Sequence, residues 1–143
     1  MSWHERRKNM KDIIITKLSP RYTTVITTLD CYEEDVVLDG VIVSPRGALK
    51  LYQKVISVGD SVRGIKEGDL VLLDLKNYKE KKYRDDSVKG DIEKMEEIEV
   101  YNFPKIFIAG QIYGKFQDRD IEGVIESYEE VEVQTSTSSN KLL

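Results

Sequence analysis

The side chains that most often carry catalysis or bind metals are scarce in this chain. It has one histidine, His4, and one cysteine, Cys31. A hydroxyl or thiol nucleophile needs an adjacent imidazole base, and a zinc site needs several His, Cys or carboxylate ligands. Because His4 lies in a polar N-terminal stretch, we predict no metal site and no catalytic residue. Cys31 has no second cysteine to pair with, which fits a reducing compartment.

Three pairs of adjacent carboxylates are the remaining groups that could transfer protons in a reaction. They are Glu33-Glu34, Asp85-Asp86 and Glu129-Glu130, and each lies within a polar run. Catalytic carboxylates depend on an environment that tunes their pKa values, whereas a polar run favours a solvated surface. The sequence also lacks both a P-loop and a GxGxxG motif. We therefore predict a protein that is not an enzyme and has no cofactor.

Composition argues against several classes of partner. Among 143 residues there are 22 Lys and Arg and 26 Asp and Glu, giving a net charge of −4. Neutralising phosphates requires a basic surface, so nucleic acid is not an expected partner. The longest apolar runs have four residues, whereas a membrane span needs roughly 20, and residues 1–11 lack the apolar stretch of a secretory signal. We expect a single cytoplasmic domain without a membrane partner.

Short runs of β-branched and aromatic residues, separated by Gly, Pro and Asp, make up most of the chain. This pattern is typical of β-strands. The expected strands are 21–29, 40–43, 51–58, 70–75, 106–109, 110–116 and 121–126. Since no helical segments alternate with them, the predicted fold class is all-β, with the strands arranged as a small β-barrel.

Three segments are expected to lie outside a barrel domain of residues 12–127. They are an N-terminal arm at 1–11, an inserted charged excursion at 76–105 and a disordered polar tail at 128–143. Within the insertion, apolar residues spaced by three over 91–98 permit a short amphipathic helix, and Tyr78 and Tyr101 are expected to pack the insertion onto the barrel. The tail has too little apolar surface to offset the entropy cost of ordering.

The order of turns within residues 51–73 is the most informative feature of the sequence. A strand reaches Gly59, where the chain can turn through conformations that a side chain would resist. Gly68 then suits a turn with a positive φ. Asp69 follows and can accept hydrogen bonds from nearby backbone amides before the chain enters a buried strand. These residues are therefore expected to define the fold.

In this order, the segment resembles the small co-chaperonins, the GroES-like lids of chaperonin chambers. That family has a Val-Gly pair, an apolar-anchored loop and a Lys-x-Gly-Asp turn before a buried strand, and residues 58–59 and 66–69 match the pair and the turn. Residues 25–26 resemble the first long strand of the family, and 118–126 resemble its closing strands. The resemblance covers residues 20–127 and implies a GroES-like β-barrel.

The resemblance also implies a flexible loop that binds the chaperonin. In the family, this loop presents a glycine and three apolar residues to the ring, and the residues at that place here are Gly40, Val41, Ile42 and Val43. A second apolar trio in the same acidic stretch is another candidate contact, namely Val36, Val37 and Leu38. An ordinary short strand at 41–43 is the alternative interpretation.

The implied function is that of a co-chaperonin lid, which caps a GroEL-like chaperonin ring and assists ATP-dependent protein folding. Weak contacts from single loops would add together in a ring of copies. By resemblance, that ring is a homo-heptamer whose neighbours pair near their termini, here at 13–16 and 121–125. The insertion and the tail depart from the family and suggest a divergent, phage-encoded lid for a capsid protein, acting in the host cytoplasm.

A virion structural or accessory protein is the alternative function. In this interpretation the barrel decorates or cements a capsid, and its partners are capsid proteins rather than a chaperonin. A mobile loop at 41–43 would favour the lid. An ordered strand there, with residues 1–11 docked on another chain, would favour the virion protein. The fold alone does not separate the two functions.

Overall fold

The computed structural model describes the backbone of residues 9–84 and 96–135 and the side chains of residues 9–81 and 100–135. Helix in these ranges is limited to short 3-10 turns, as at Lys76–Tyr78 and Asp118–Asp120. The strands are β1 (Thr24–Thr27), β2 (Val36–Leu38), β3 (Val41–Ser44), β4 (Tyr52–Val58), β5 (Leu70–Leu73), β6 (Lys79–Arg84), β7 (Glu96–Tyr101), β8 (Lys105–Ile108), β9 (Gln111–Gln117), β10 (Ile121–Val124) and β11 (Gln134–Thr135). The protein is all-β, as the sequence predicts.

Six of the strands form the main sheet, in the order β10-β5-β4-β1-β9-β8. Every neighbouring pair in it is antiparallel. Strands β8 and β10 are its two edges, and within the described residues no pairing joins them. A closed barrel is therefore not found in this part of the chain, although the β-rich architecture is.

Two smaller sheets accompany the main one, with strand orders β11-β2-β3 and β6-β7. The second of them corrects the expected helix at 91–98, because residues 96–98 belong to β7 and pair antiparallel with β6. Residues 91–95 lie outside the described residues. The sequence Glu97-Ile98-Glu99-Val100 alternates between polar and apolar residues, which is the period of a strand. That alternation was a better guide than the spacing of three.

Part of the predicted disordered tail is a strand. Gln134 and Thr135 form β11 and pair with Val37 and Val36 of β2. Sheet pairing depends on backbone N–H and C=O groups, so a polar segment can join an edge without contributing apolar surface. Residues 1–8, which hold His4, and residues 136–143 lie outside the described residues.

The core is built from alternate residues of the main sheet. The fully buried apolar side chains include Val25 of β1, Val55 of β4, Val71 of β5 and Phe116 of β9. Phe103 joins them, with its ring 5.0 Å from that of Phe116 between centroids. Burying each of these side chains stabilises the fold by roughly 1.5–3 kcal/mol. The core therefore includes a residue that the sequence assigned to the surface excursion at 76–105.

The other end of that excursion also contacts the core. Tyr78 and Tyr101 are partly buried and pack against the core cluster, as expected for residues that attach the insertion. The ring of Tyr78 lies edge-on to that of Phe116, with 6.3 Å between centroids. The described ends of the β6–β7 hairpin are therefore fixed to the main sheet.

Two of the glycines within residues 59–69, Gly59 and Gly68, are required for different reasons. Gly59 is buried and does not have a positive φ, and a Cβ there would lie 2.7 Å from the carbonyl oxygen of Arg21 and clash with that of Tyr22. Close approach of the backbone therefore explains this glycine, rather than the unusual conformation that we expected. Gly68 has a φ of 93°, and a carboxylate oxygen of Asp69 accepts a hydrogen bond from the Lys66 amide at 2.9 Å. Both features agree with the predicted turn.

Candidate functional site

Strands β2 and β3 form a hairpin at the position where the resemblance implies a flexible loop. Asp39 and Gly40 connect the strands with φ angles of 51° and 80°. Positive φ at both central residues is the signature of a type I′ turn, which matches the twist of a hairpin. Leu38 and Val41 face each other across this turn. Residues 41–43 are thus a paired strand, which is the alternative that the sequence left open.

Three consecutive apolar side chains of β3 are exposed. Val41, Ile42 and Val43 are 63%, 53% and 53% accessible to solvent. A regular strand would direct successive side chains to opposite faces. Here the register shifts, so that Val36 faces Ser44 and Val37 faces Ile42, which leaves Val43 as an extra residue in β3. A bulge of this kind re-aims side chains.

The two candidate trios therefore differ in accessibility. Val36 and Val37 are half-buried, whereas Leu38 is 62% exposed and lies beside Val41. The exposed apolar surface consequently spans both strands, and we call Leu38, Val41, Ile42 and Val43 the apolar hairpin tip. Gly40 is exposed at the turn between them.

Carboxylates flank the apolar hairpin tip along the chain. Glu33, Glu34, Asp35 and Asp39 precede β3, and no basic residue occurs between 33 and 44. A carboxylate oxygen of Asp35 accepts a hydrogen bond from the Arg46 amide at 2.6 Å, which ties the two arms of the hairpin together below the tip. The pair Glu129-Glu130 is exposed, and Asp85-Asp86 lies outside the described residues. None of the described pairs is buried as a proton-transfer site would be.

Gln53 of β4 anchors the base of the hairpin to the main sheet. It is 1% exposed, and its side-chain oxygen accepts hydrogen bonds from the Thr28 hydroxyl and the Asp30 amide at 2.9 and 2.8 Å. Its side-chain nitrogen donates to the carbonyls of Asp30 and Lys50 at 2.9 and 2.7 Å. Cys31 and Leu49 form an isolated antiparallel β-bridge. The buried amide of Gln53, with all its hydrogen bonds made, holds the backbone on both sides of this pair.

Sequence reasoning missed Gln53, although a signal was available. The predicted strand 51–58 places residues 53 and 55 on the same face, because side chains alternate along a strand. Val55 is an obvious core residue, so a glutamine two positions earlier had to be buried with it. A buried amide requires hydrogen-bond partners, which would have pointed to the neighbouring loops.

Tyr78 and the buried Asp120 form a partly buried hydrogen bond between the insertion and the end of β9. The Tyr78 hydroxyl donates to a carboxylate oxygen of Asp120 at 2.7 Å, and the Gln117 amide donates to the same oxygen at 2.9 Å. Burial, followed by the hydrogen bond and the negative charge of Asp120, raises the pKa of Tyr78 to about 12. The phenol therefore stays protonated, and the pair acts as a structural link.

An open cleft of about 490 Å³ lies beside the hairpin. Its lining comes from β3, from the start of β4 and from the end of β7, and includes Val43, Ser44, Leu51, Tyr52, Val100 and Tyr101. Most of these side chains are apolar or aromatic. We call this space the hairpin cleft.

Residues 9–84 and 96–135 contain no group of three or more His, Cys, Asp and Glu side chains that could hold a metal ion. In the same part of the chain, no helix has the length and hydropathy to span a membrane. Comparisons with protein-family models, with curated proteins and with solved structures found no match to this chain.

Proposed function

We propose that the protein is a co-chaperonin lid with a GroES-like fold, which contacts a chaperonin ring through the apolar hairpin tip. The observation that carries the proposal is the exposure of Leu38, Val41, Ile42 and Val43, each more than half accessible. A cluster of exposed apolar residues on one element marks an interaction surface. Its place in the chain agrees with the position of the contact segment in the co-chaperonin family.

The energetics of the hairpin suit a contact that is repeated around a ring. Burying one of its side chains contributes up to roughly 1.5–3 kcal/mol, which leaves a single hairpin weakly bound after the cost of association. Several copies held in one ring would bind far more tightly through their effective concentration. Because the hairpin is already paired in the free chain, it also loses less conformational freedom on binding than a mobile loop would.

The two segments expected at subunit contacts lie at opposite edges of the main sheet. The carbonyl of Ile15 accepts a hydrogen bond from the Ala109 amide next to β8 at 2.7 Å, and the Ile125 amide after β10 donates to the Leu70 carbonyl at 2.7 Å. A contact between opposite edges of two copies is head-to-tail, and such contacts form a ring when the rotation between neighbours closes. This placement is compatible with a ring in which 13–16 of each subunit meets 121–125 of the next, and the number of seven copies comes from the family resemblance.

The decisive experiment is the native mass of the purified protein, alone and with a bacterial chaperonin and nucleotide. We expect a species near seven times 16.5 kDa that caps the chaperonin. Ile42→Asp is expected to abolish capping, because it places a charge in the apolar contact. Val131→Asp, at a 74% exposed valine outside the hairpin, is the matched control and should cap normally. If the protein does not bind the chaperonin, the proposal that it is a lid is refuted.

A virion accessory protein is the second candidate, and one observation favours it. Residues 41–43 are paired in a sheet with β2 and β11, and an ordered strand suits a permanent contact with a capsid protein. In that case the protein would be found in assembled capsids at a fixed ratio to the capsid protein. Presence in capsids without any capping of the chaperonin would establish this function instead of the lid.

A further inference from the structure

Strand β3 has a free edge with little protection. It is the last strand in the order β11-β2-β3, and among the described residues it pairs with β2 alone. Edge strands usually avoid unwanted pairing through lysines, inward charges or prolines. The residues of β3 are Val41-Ile42-Val43-Ser44, without a charge, and Pro45 follows only after the strand has ended. The described residues therefore leave one side of the β3 backbone open to pair with another strand.

The hairpin cleft lies next to this edge. Val43 and Ser44 belong both to β3 and to the cleft lining, and Leu51 and Tyr52 in the same lining are 43% and 41% exposed. The cleft has a volume of about 490 Å³ and is open to solvent. A strand added at β3 would thus have a mostly apolar space beside it for its side chains.

The charge of this part of the molecule limits which strand would bind. Residues 33–44, which include the β2–β3 hairpin, carry four carboxylates and no basic side chain. Lys50 follows the hairpin, just before β4, and its ammonium lies 5.4 and 5.7 Å from the ring centroids of Tyr32 and Tyr52. Charge complementarity therefore favours a basic segment.

We propose that β3 and the hairpin cleft bind an extended, basic segment of another protein as a fourth strand of the β11-β2-β3 sheet. Backbone hydrogen bonds to the free edge would supply affinity, and alternate apolar side chains would enter the cleft. Lysine or arginine residues between them would be attracted by the carboxylates of residues 33–39 in the same hairpin. A second copy of this chain is a poor occupant, because pairing two β3 edges would bring the same acidic segments together. The proposal does not rest on the lid function, although both contacts would use residues of β3.

Peptide binding tests this proposal. The probe is a fluorescein-labelled peptide of about ten residues with alternating valine and lysine, which matches strand addition in length and pattern. Fluorescence anisotropy is expected to show saturable binding. Two matched peptides should bind at least tenfold more weakly: one with glutamate in place of lysine, and one with N-methyl groups on the amides of one edge. Equal binding of the N-methylated peptide would show adsorption by charge alone and would overturn the proposal.

Two variants of the protein locate the site. Val43→Lys adds an edge-protecting charge at the cleft, and we expect it to weaken binding of the valine–lysine peptide at least tenfold. Val131→Lys makes the same charge change at an exposed valine that does not line the cleft. Its affinity for the valine–lysine peptide should remain within twofold of that of the native protein. Equal affinities of the two variants would refute the site.

Amide hydrogen exchange distinguishes strand addition from other modes of peptide binding and also controls for folding. Since Leu38 and Val41 are the pair next to the turn, the N–H of Ile42 points away from β2. The peptide is expected to slow exchange at Ile42. The core amides of Val55 and Leu73, whose hydrogen bonds are internal, should exchange equally in both variants. Peptide binding without protection of Ile42 would contradict strand addition.

Discussion

At the scale of single residues, Gly59 is the position with the least tolerance for a side chain. The backbones of residues 21–22 and 59 meet so closely that a Cβ would contact two carbonyl oxygens, and neither can rotate away as a side-chain end could. We expect Gly59→Ala to lower the free energy of unfolding by about 1–3 kcal/mol through overpacking. Urea denaturation measures this change.

Gly123→Ala is the matched control for Gly59→Ala. Gly123 lies in β10 without a positive φ, and no atom lies within 4 Å of a Cβ built there. The same methyl group should therefore change the free energy of unfolding by no more than about 0.5 kcal/mol. Equal losses in the two variants would mean that loss of glycine itself, rather than the contact with Arg21 and Tyr22, is responsible.

The partly buried Tyr78 side chain makes stability depend on pH in the alkaline range. The pKa of Tyr78 rises from 10.0 to about 12 on folding, so the folded state holds this proton more tightly than the unfolded state. The raised pKa of Tyr78 therefore stabilises the folded state fully below about pH 10, and this stabilisation is lost as the pH rises towards about 12. We expect the urea midpoint of the native protein to fall over this interval more steeply than that of Tyr78→Phe.

Tyr78→Phe also tests the hydrogen bond itself. At neutral pH it should lower the free energy of unfolding by about 1–3 kcal/mol, because it removes a donor to the buried Asp120 carboxylate. Tyr128→Phe, at a 66% exposed tyrosine, should leave both the neutral stability and its alkaline dependence unchanged. Parallel alkaline curves for the native protein and Tyr78→Phe would contradict the raised pKa.

At the scale of elements, the β2–β3 hairpin depends on the two residues of its turn. Gly40 has a φ of 80°, and a side chain in this region costs about 1–2 kcal/mol. We expect Gly40→Ala to speed amide exchange in β2 and β3 by about tenfold through local opening, while the core amides of Val55 and Leu73 are unaffected. Asp39→Asn should have no effect, because asparagine accepts the φ of 51° at that position. Equal exchange in Gly40→Ala and the native protein would show that the turn does not limit the hairpin.

The strands of the main sheet were predictable because the pattern of apolar and polar side chains along each strand reflects which positions are buried. The predicted strand 51–58 agrees with Tyr52–Val58, and 110–116 agrees with Gln111–Gln117. The predicted strand 40–43 also agrees with Val41–Ser44, but its pairing with Val36–Leu38 in a hairpin was not predicted. Asp-Gly between apolar runs is a strong hairpin signal, but the family resemblance favoured a loop there. Strand β11 could not be predicted, since Gln134–Thr135 joins the sheet through its backbone and leaves no pattern in the side chains.

The candidate site was predictable in its residue types and not in its geometry. An apolar stretch at 41–43 next to Asp and Glu residues is visible in the sequence, and so is its departure from an alternating strand. The bulge that exposes Val43 depends on the register with β2, which no local pattern encodes. The hairpin cleft was even harder to predict from the sequence, because its walls come from β3, β4 and β7, which are distant in the chain.

At the scale of the whole molecule, two of the exposed apolar regions among the described residues suit two kinds of contact. One is the apolar hairpin tip. The other lies along the β8 edge of the main sheet, where Ile13, Ile14 and Phe107 are 81%, 81% and 64% exposed. The proposed lid uses both, because subunits must join at their sheet edges while their hairpins remain available to the chaperonin. The two regions should therefore be separable by mutation.

Ile14→Asp tests that separation. It places a charge at the β8 edge, where Ile14 is exposed in a single chain and would be buried between subunits, so the native mass should fall to 16.5 kDa with an unchanged thermal midpoint. Ile42→Asp should leave the native mass at that of the assembly and abolish capping of the chaperonin alone. Native mass spectrometry with a capping assay measures both properties. An Ile14→Asp protein that still assembles would exclude the β8 edge as a subunit contact, because an aspartate carboxylate buried there without a partner would cost too much free energy for the interface to persist.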